Sequence, residues 1–297
     1  MYLPAAFISV VLIWSTTPLA IKWSALGAGF SFAVLSRMII GVVLCALLLL
    51  LFRVRFPLHR RALHSYLASG SSMFGTMVLA YWASQYVSSG MISVLFGMSP
   101  LITSLGAMVW LKEEAVTRHK LAGILLGLSG LLMVFWGALH LGEGAALGLA
   151  ALVLAVLIQA LGLVWIKKVG DNSPPLATTL GSLSVGLPLF FLAWWLSGES
   201  WSASIETRAL TAIVYLGVVG SVVGFMLYYY MIKHMDTGRI ALINLITPVM
   251  ALLLGHGLNN EAVLPQVWFG TVFILLGLCV HRWGERYIPI LIPSRTE

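Results

Sequence analysis

Ten long apolar runs constrain this chain more than any other feature. They fall at about 3–22, 30–52, 65–86, 89–111, 119–138, 146–168, 175–197, 209–232, 237–258 and 265–284. A helix of about 20 apolar residues crosses the roughly 30 Å hydrocarbon core of a bilayer. Strands of a membrane β-barrel are about half as long and alternate in polarity, so a barrel is excluded. Composition agrees: of 297 residues, 60% are hydrophobic and only 9% charged, with a mean hydropathy of +0.99. A soluble domain needs about 25% charged residues to cover its surface, so most of this surface faces lipid. The expectation is an all-α integral membrane protein with ten transmembrane helices.

The net charge of +7 would suit nucleic acid, but the placement of the basic residues argues otherwise. With the N-terminus inside, the cytoplasmic connections carry Arg53, Arg55, Arg60, Arg61, Lys112, Arg118, Lys120, Lys167, Lys168, Lys233 and Arg239, and the C-terminal tail carries Arg282, Arg286 and Arg295. That is fourteen of the seventeen Lys and Arg. The outer connections hold only Arg208, while Lys22 and Arg37 lie at or within the first two spans. This bias follows the positive-inside rule, places both termini in the cytoplasm and makes the charge topological. A cleaved signal peptide over 1–20 would open on a basic stretch. No Lys or Arg precedes Lys22, and cleavage would leave nine spans, so the first span is expected to be retained. Cys45 and Cys279 lie inside spans without CxxC or CxxH neighbours. They read as two buried small hydrophobes, with no metal site and no disulfide framework.

The same pattern is written twice. "SGMISVLFGMSP" (89–100) and "TGRIALINLITP" (237–248) each place a Gly ten residues before a Pro. At an offset of 148, Gly90, Ile92 and Pro100 meet Gly238, Ile240 and Pro248; Leu79 and Tyr81 meet Leu227 and Tyr229; Leu105 and Glu113 meet Leu253 and Glu261. At 147, "GILLGLSG" (123–130) falls over "GTVFILLG" (270–277), and at 145 Ile13, Ile21 and Lys22 meet Ile158, Ile166 and Lys167. Chance matching of apolar helices explains scattered Leu and Ile pairs. It explains matched Gly, Pro and Glu at fixed spacing much less well. The halves are residues 1–140 and 141–297, five spans each. Five is odd, so the second half enters the membrane from the opposite side. Two inverted five-helix repeats are an architecture built for alternating access, with substrate held near the midplane.

Ten spans as five plus five, basic inner connections, "WSTTPLAIK" (14–22), "SRMIIG" (36–41), the two Gly-to-Pro segments and the glutamate after each stand in a characteristic order. In these features the chain resembles an EamA-type member of the drug/metabolite transporter superfamily over essentially its whole length. It departs from the pattern at Ser15, where the family often has Gly, and at "LNNE" (258–261), where L-G-E is common. The resemblance implies secondary transport. The family moves amino acids, sugars, nucleotide derivatives and drugs, so the substrate stays open.

Depth in the membrane selects candidate residues. Trp14 and Gln159 sit at the centres of the first and sixth spans, at related positions. Phe96, Ser99 and Thr103 share one face of the fourth span at helical spacing, and Asn244, Thr247 and Ala251 the related face of the ninth. Ser221 lies at mid-depth in the eighth. Substrate binding is expected at Trp14, Phe96, Ser99, Thr103, Gln159, Ser221, Asn244 and Thr247. Tyr81 and Trp82 toward the outer mouth, and Tyr229 and Tyr230 toward the inner, are candidate gates. Each has a bland alternative: Ser and Thr in spans often bond their own helix's carbonyls, and Trp and Tyr near span ends are often interface anchors. Lys22 and Arg37 either contact an anionic group on the substrate or extend their stems to the outer surface. Gly127, Gly130, Gly217, Gly220 and Gly224 read as sites of close helix packing. Glu113 and Glu261 read as helix caps or anchors.

No GxxxxGK[ST] phosphate loop is present, so ATP is not the energy source. An enzyme would need His, Asp or Glu converging at one depth. The seven histidines, His59, His64, His119, His140, His234, His256 and His281, are scattered. No enzymatic activity, cofactor or metal is expected. The expectation is an inner-membrane carrier, running outward, for small organic metabolites such as amino acids. A multidrug exporter is the alternative, and a non-transporting membrane enzyme or receptor stands behind it. The partners are a small-molecule substrate and the lipid bilayer, without nucleic acid. A coupling proton, and a monomer or a homodimer, are both compatible with the sequence.

Overall fold

In lipid a backbone has no water to bond, so apolar runs of this length satisfy their amides within a helix. The computed structural model describes residues 2–111, 117–138, 144–199, 205–235, 240 and 242–287, without the side chains of 225, 229, 232, 233 and 285–287. Every regular element among them is helical: α1 Leu3–Ala28, α2 Phe30–Leu51, α3 Arg60–Ala83, α4 Ser89–Gly97, α5 Ser99–Trp110, α6 Arg118–Ala138, α7 Ala145–Val169, α8 Pro175–Ser197, α9 Thr207–Tyr215, a π-helical segment Leu216–Val223, α10 Gly224–His234, α11 Ile243–Asn259 and α12 Pro265–Tyr287. Among the described residues, eight stretches are long and apolar enough to cross a membrane. The other two expected spans are covered by α3, whose Ser, Gly and Tyr dilute its apolar character, and by α11, an apolar helix of 17 residues. Exposed Leu47, Leu50, Leu132, Trp136, Trp195 and Phe269 face outward, as a lipid solvent requires. Glu113, His140 and Gly238 lie outside the described residues.

Two expected helices differ in detail. The span expected as one helix over 89–111 is broken at Met98, between α4 and α5. Pro100 lacks an amide hydrogen and suits a first helical turn, not a helix interior. The chain therefore turns, with Met98 N–H on Leu95 O at 3.0 Å, and restarts with Leu101 and Ile102 N–H on Met98 O. The span expected over 209–232 widens into the π segment, which shifts its register at Gly217, Gly220 and Ser221.

Hydrogen bonds fix the two ends of the bundle. At one end Lys22 of α1 donates to Val87 O just before α4, and Trp23 Nε1 donates to Asn259 Oδ1 at the end of α11. The Arg208 guanidinium lies 3.9 Å from the Trp23 ring centroid. At the other end His59, before α3, pairs with Asp171, between α7 and α8, at 3.0 Å. Burial pushes the Asp171 carboxyl up, but hydrogen bonds from Ser173 and His59 outweigh it and hold the group below the usual carboxylate range. We call these the clasp end and the mouth end. α1 runs from mouth to clasp and α7 from clasp to mouth, since Gly144, at its start, packs on Tyr86. α2 runs toward the mouth and α8 away from it.

The closest helix pair is α6 with α12. A Cβ on Gly123 would lie 2.6 Å from Gly277 O, and one on Gly130 2.5 Å from Gly270 O. The contacts are reciprocal: a Cβ on Gly277 would lie 2.6 Å from Gly123 O and one on Gly270 2.6 Å from Gly130 O. Rising numbers on one helix meet falling numbers on the other, so the pair is antiparallel. Small residues let the two backbones touch, and dispersion and polar backbone contacts then replace lipid.

Candidate functional site

α1 supplies the polar face that meets α9, the π segment and α10. Pro18 sits inside this helix, three positions from Ser15, whose buried hydroxyl has no partner. Thr16 Oγ1 lies 2.6 Å from the Tyr215 hydroxyl, and Thr17 Oγ1 donates to Ile13 O at 2.7 Å. The Trp14 ring lies 4.9 Å from that of Tyr228, and its Nε1 is 3.4 Å from where a Cβ on Gly224 would sit. Gly217 admits Ile40 of α2, whose Cγ2 would lie 2.6 Å from an added Cβ. Gly217 therefore permits close packing, as read from the sequence, whereas a Cβ on Gly220 or Gly224 would meet only ordinary contacts, at 3.5 Å and 3.4 Å.

Arg37 of α2 joins this seam. Counting from Phe30, it lies about 10 Å along the helix from the clasp end. The side chain does not extend to the surface: it is 5% exposed, and its Nε donates to Ser221 Oγ at 3.1 Å. Ser221 in turn donates to Leu216 O at 2.9 Å, five residues back, the reach that a π turn provides. One terminal nitrogen, Nη1, is buried without a partner. The other lies 3.8 Å from the Cβ position of Gly220, which is 3.7 Å from Thr17 Oγ1.

A cavity of about 430 Å³ opens at the mouth end and reaches this seam. Cys45 and Val54, then Pro174, Pro175, Leu176 and Thr179 of the opposite wall, line it together with Ser221, Val222, Met226, Tyr230 and His234. Its size lies in the range of small-molecule sites. The Tyr230 ring stacks near His234, with centroids 4.5 Å apart.

The other sequence-selected residues lie away from this cavity wall. Thr103 Oγ1 and Ser104 Oγ of α5 and Gln159 Oε1 of α7 are buried without partners. Between α4 and α11, the Cβ position of Gly97 is 3.2 Å from Pro248 and 3.9 Å from Asn244 O. Phe96 is half-buried and packs against the core around α4 and α7, and Ser99 is half-buried at the α4–α5 break. Thr247 bonds the Ile243 carbonyl of its own helix at 2.9 Å. Tyr81 is fully buried among α1, α2 and α8 with its hydroxyl unpartnered, whereas Trp82 packs in the separate core of α4 and α7. The Tyr229 side chain lies outside the described residues.

At the clasp end the structure adds residues that sequence reasoning left as caps or did not select. Glu261 is 8% exposed and accepts from Ser89 N–H and Ser89 Oγ, both at 2.8 Å, and from Asn259 Nδ2 at 2.9 Å. Glu199 accepts from Ser31 Oγ at 2.5 Å and Phe32 N–H at 3.2 Å. Each carboxylate meets the orphan amides and positive dipole at the start of a helix, α4 and α2 respectively. Lys22 is held against Val87 O within this network rather than extended into water.

The EamA-like transporter family model matches residues 3–136 and again residues 146–282. A probable amino-acid metabolite efflux pump of Salmonella typhimurium is 26% identical, over 72% of this chain and 74% of its own. An uncharacterized transporter of Archaeoglobus fulgidus is 24% identical, over 66% and 68%. The uncharacterized inner membrane transporter YedA of Escherichia coli is 25% identical, over 69% of this chain and 65% of its own. A protein solved by crystallography superposes with a TM-score of 0.64 over 95% of this chain and 98% of its own, at 19% identity. That likeness is one of fold.

Proposed function

This chain belongs to the EamA-like transporter family, and from that premise we propose that it exports small organic metabolites such as amino acids by alternating access. The observation that carries the reading is the double match of one family model, to 3–136 and to 146–282. Two copies of one unit, run in opposite directions, supply two equivalent states by rocking one half against the other. Ten spans in two inverted repeats are the architecture this requires. The opposed courses of α1 and α7, and of α2 and α8, support it, as do the reciprocal glycine contacts of α6 and α12. The mouth end would then face the cytoplasm and the clasp end the outside, a reading that the basic connections support.

Substrate would rest among Trp14, Phe96, Ser99, Thr103, Gln159, Ser221, Asn244 and Thr247. The partnerless Thr103 and Gln159 atoms support this, because buried polar groups are rarely left without bonds unless a ligand or water supplies them. Tyr230, at the cavity wall, and Tyr229 would gate the inside, and Tyr81 with Trp82 the outside. The name of the Salmonella relative favours amino-acid metabolites over drugs as cargo.

An untargeted metabolite comparison of cells with and without the protein tests the function. The expected result is a small set of metabolites raised in the medium and lowered in the cells. No difference would contradict export. Once a substrate is in hand, Asn244→Ala and Gln159→Ala should each weaken its binding roughly 2- to 12-fold, the worth of one net hydrogen bond. Unchanged affinity in both, at normal amounts of folded protein, would remove these residues from the site.

A further inference from the structure

Arg37 is a buried cation inside a membrane-spanning helix with no neutralising group among the described residues. Among the described residues its guanidinium bonds only to the neutral Ser221, and no carboxylate lies within ion-pair distance. Charges at this depth are costly and are retained for a task. Burying one without a partner charge is the most expensive form of the arrangement.

We propose that Arg37 receives the carboxylate of the transported molecule, so that the cargo is a small carboxylate with an apolar body. This names the substrate class of the carrier described above and rests on that reading. Ser221 pins the guanidinium by its Nε edge, at 3.1 Å, and is itself pinned by Leu216 O. That leaves the two terminal nitrogens, the edge that takes a carboxylate end-on in two parallel charge-assisted hydrogen bonds. Nη1 has no other bond to give up. Gly220 keeps the space beside Nη2 and the Thr17 hydroxyl clear of a side chain. The cavity reaches Ser221, the partner of Arg37, from the mouth end, with Arg37 itself behind Ser221 rather than in the cavity wall, and among the described residues no Asp or Glu lines it to repel an anion. Val54, Leu176, Val222 and Met226 line it, which suits an apolar body behind the charged group.

The test uses the purified full-length chain in detergent and reads the shift of its thermal unfolding with added ligand. The probes are L-phenylalanine, L-leucine and 4-phenylbutyrate at millimolar concentration, each beside its primary amide, which lacks the carboxylate; the amide of 4-phenylbutyrate is the match without any charge. The expected result is stabilisation by one or more acids and not by the matching amides. Arg37→Gln should weaken acid binding roughly 10- to 150-fold, the worth of a hydrogen bond to a charged group. Arg37→Lys should restore part of it. Ser221→Ala, which leaves the charge but frees the side chain, should weaken it by less. Amides that stabilise as well as acids, acid binding that survives Arg37→Gln, or silence of all three acids would overturn the proposal. Amide binding with export intact in cells would sink the Arg37 assignment and leave the carrier reading standing. Loss of export for every metabolite would sink that reading itself.

Discussion

Gly130→Leu leaves little folded protein in the membrane. The reason is backbone geometry. The added Cβ alone would fall 2.5 Å from Gly270 O and 2.8 Å from Ile274 N, both main-chain atoms of α12. Overpacking costs about 1–3 kcal/mol where neighbouring side chains can move aside. Here the obstacle is a second helix, so α6 and α12 must separate along their length. Leucine favours helix over glycine by about 0.8–1 kcal/mol, so a loss cannot come from local propensity. Gly277→Leu should behave alike, because its Cβ would meet Gly123 O at 2.6 Å and Gly127 N at 2.7 Å. Gly257→Ala is the control, since nothing lies within 4 Å of its added carbon. Size-exclusion profiles of fluorescently tagged variants measure the folded fraction. Wild-type profiles for both leucine variants would refute the backbone contact.

Glu261→Ala should open the clasp end. Glu261 ties the start of α4 to the end of α11 through Ser89 and Asn259, and Asn259 holds Trp23 of α1. In a two-state carrier these bonds exist only while that end is closed, so losing them destabilises one state alone. A hydrogen bond to a charged group is worth about 1.5–3 kcal/mol, and one such bond shifts the population ratio roughly 10- to 150-fold. A cysteine at Ser93, buried one turn below Ser89, reports the change in a chain with Cys45 and Cys279 replaced by alanine. Its labelling by an impermeant maleimide from the clasp side should accelerate at least tenfold in Glu261→Ala. The acceleration should be smaller in Glu261→Gln, which keeps an acceptor for Ser89. Unchanged rates in both variants, with normal folded protein, would make Glu261 a helix cap without a part in gating.

The apolar runs were legible because lipid leaves a chain few other folds. The Gly-to-Pro segments were legible as a pattern, and their physical meaning is mixed. Gly90 admits Leu252, whose Cα would lie 2.8 Å from an added Cβ, so that glycine is a packing site. Pro100 was expected inside one span over 89–111; it stands at the break that divides α4 from α5 instead. Which way Arg37 turns was not legible. A helix apolar on nearly every side, such as α2, carries no polar face to set its rotation, so inward and outward placements look alike on paper. The π segment was hidden for a related reason: its glycines announce close packing, whereas the contacts that its shifted register makes, Gly217 on Ile40 and Ser221 on Arg37, lie far away in the chain. Glu199 went unnoticed because it caps a helix 167 residues before it in the chain, and no local spacing marks such a pair.

The central claim is that two copies of one unit face opposite ways. Leu58 and Glu206 are equivalent at the repeat offset of 148 and both are exposed in connections, Leu58 at 66%. Cysteines introduced at each position in turn, in the chain lacking Cys45 and Cys279, give the most direct measurement. In intact cells an impermeant maleimide should label Glu206→Cys at once and Leu58→Cys only after the membrane is breached. Labelling of both from the same side would contradict the inversion, and with it the alternating access built on it.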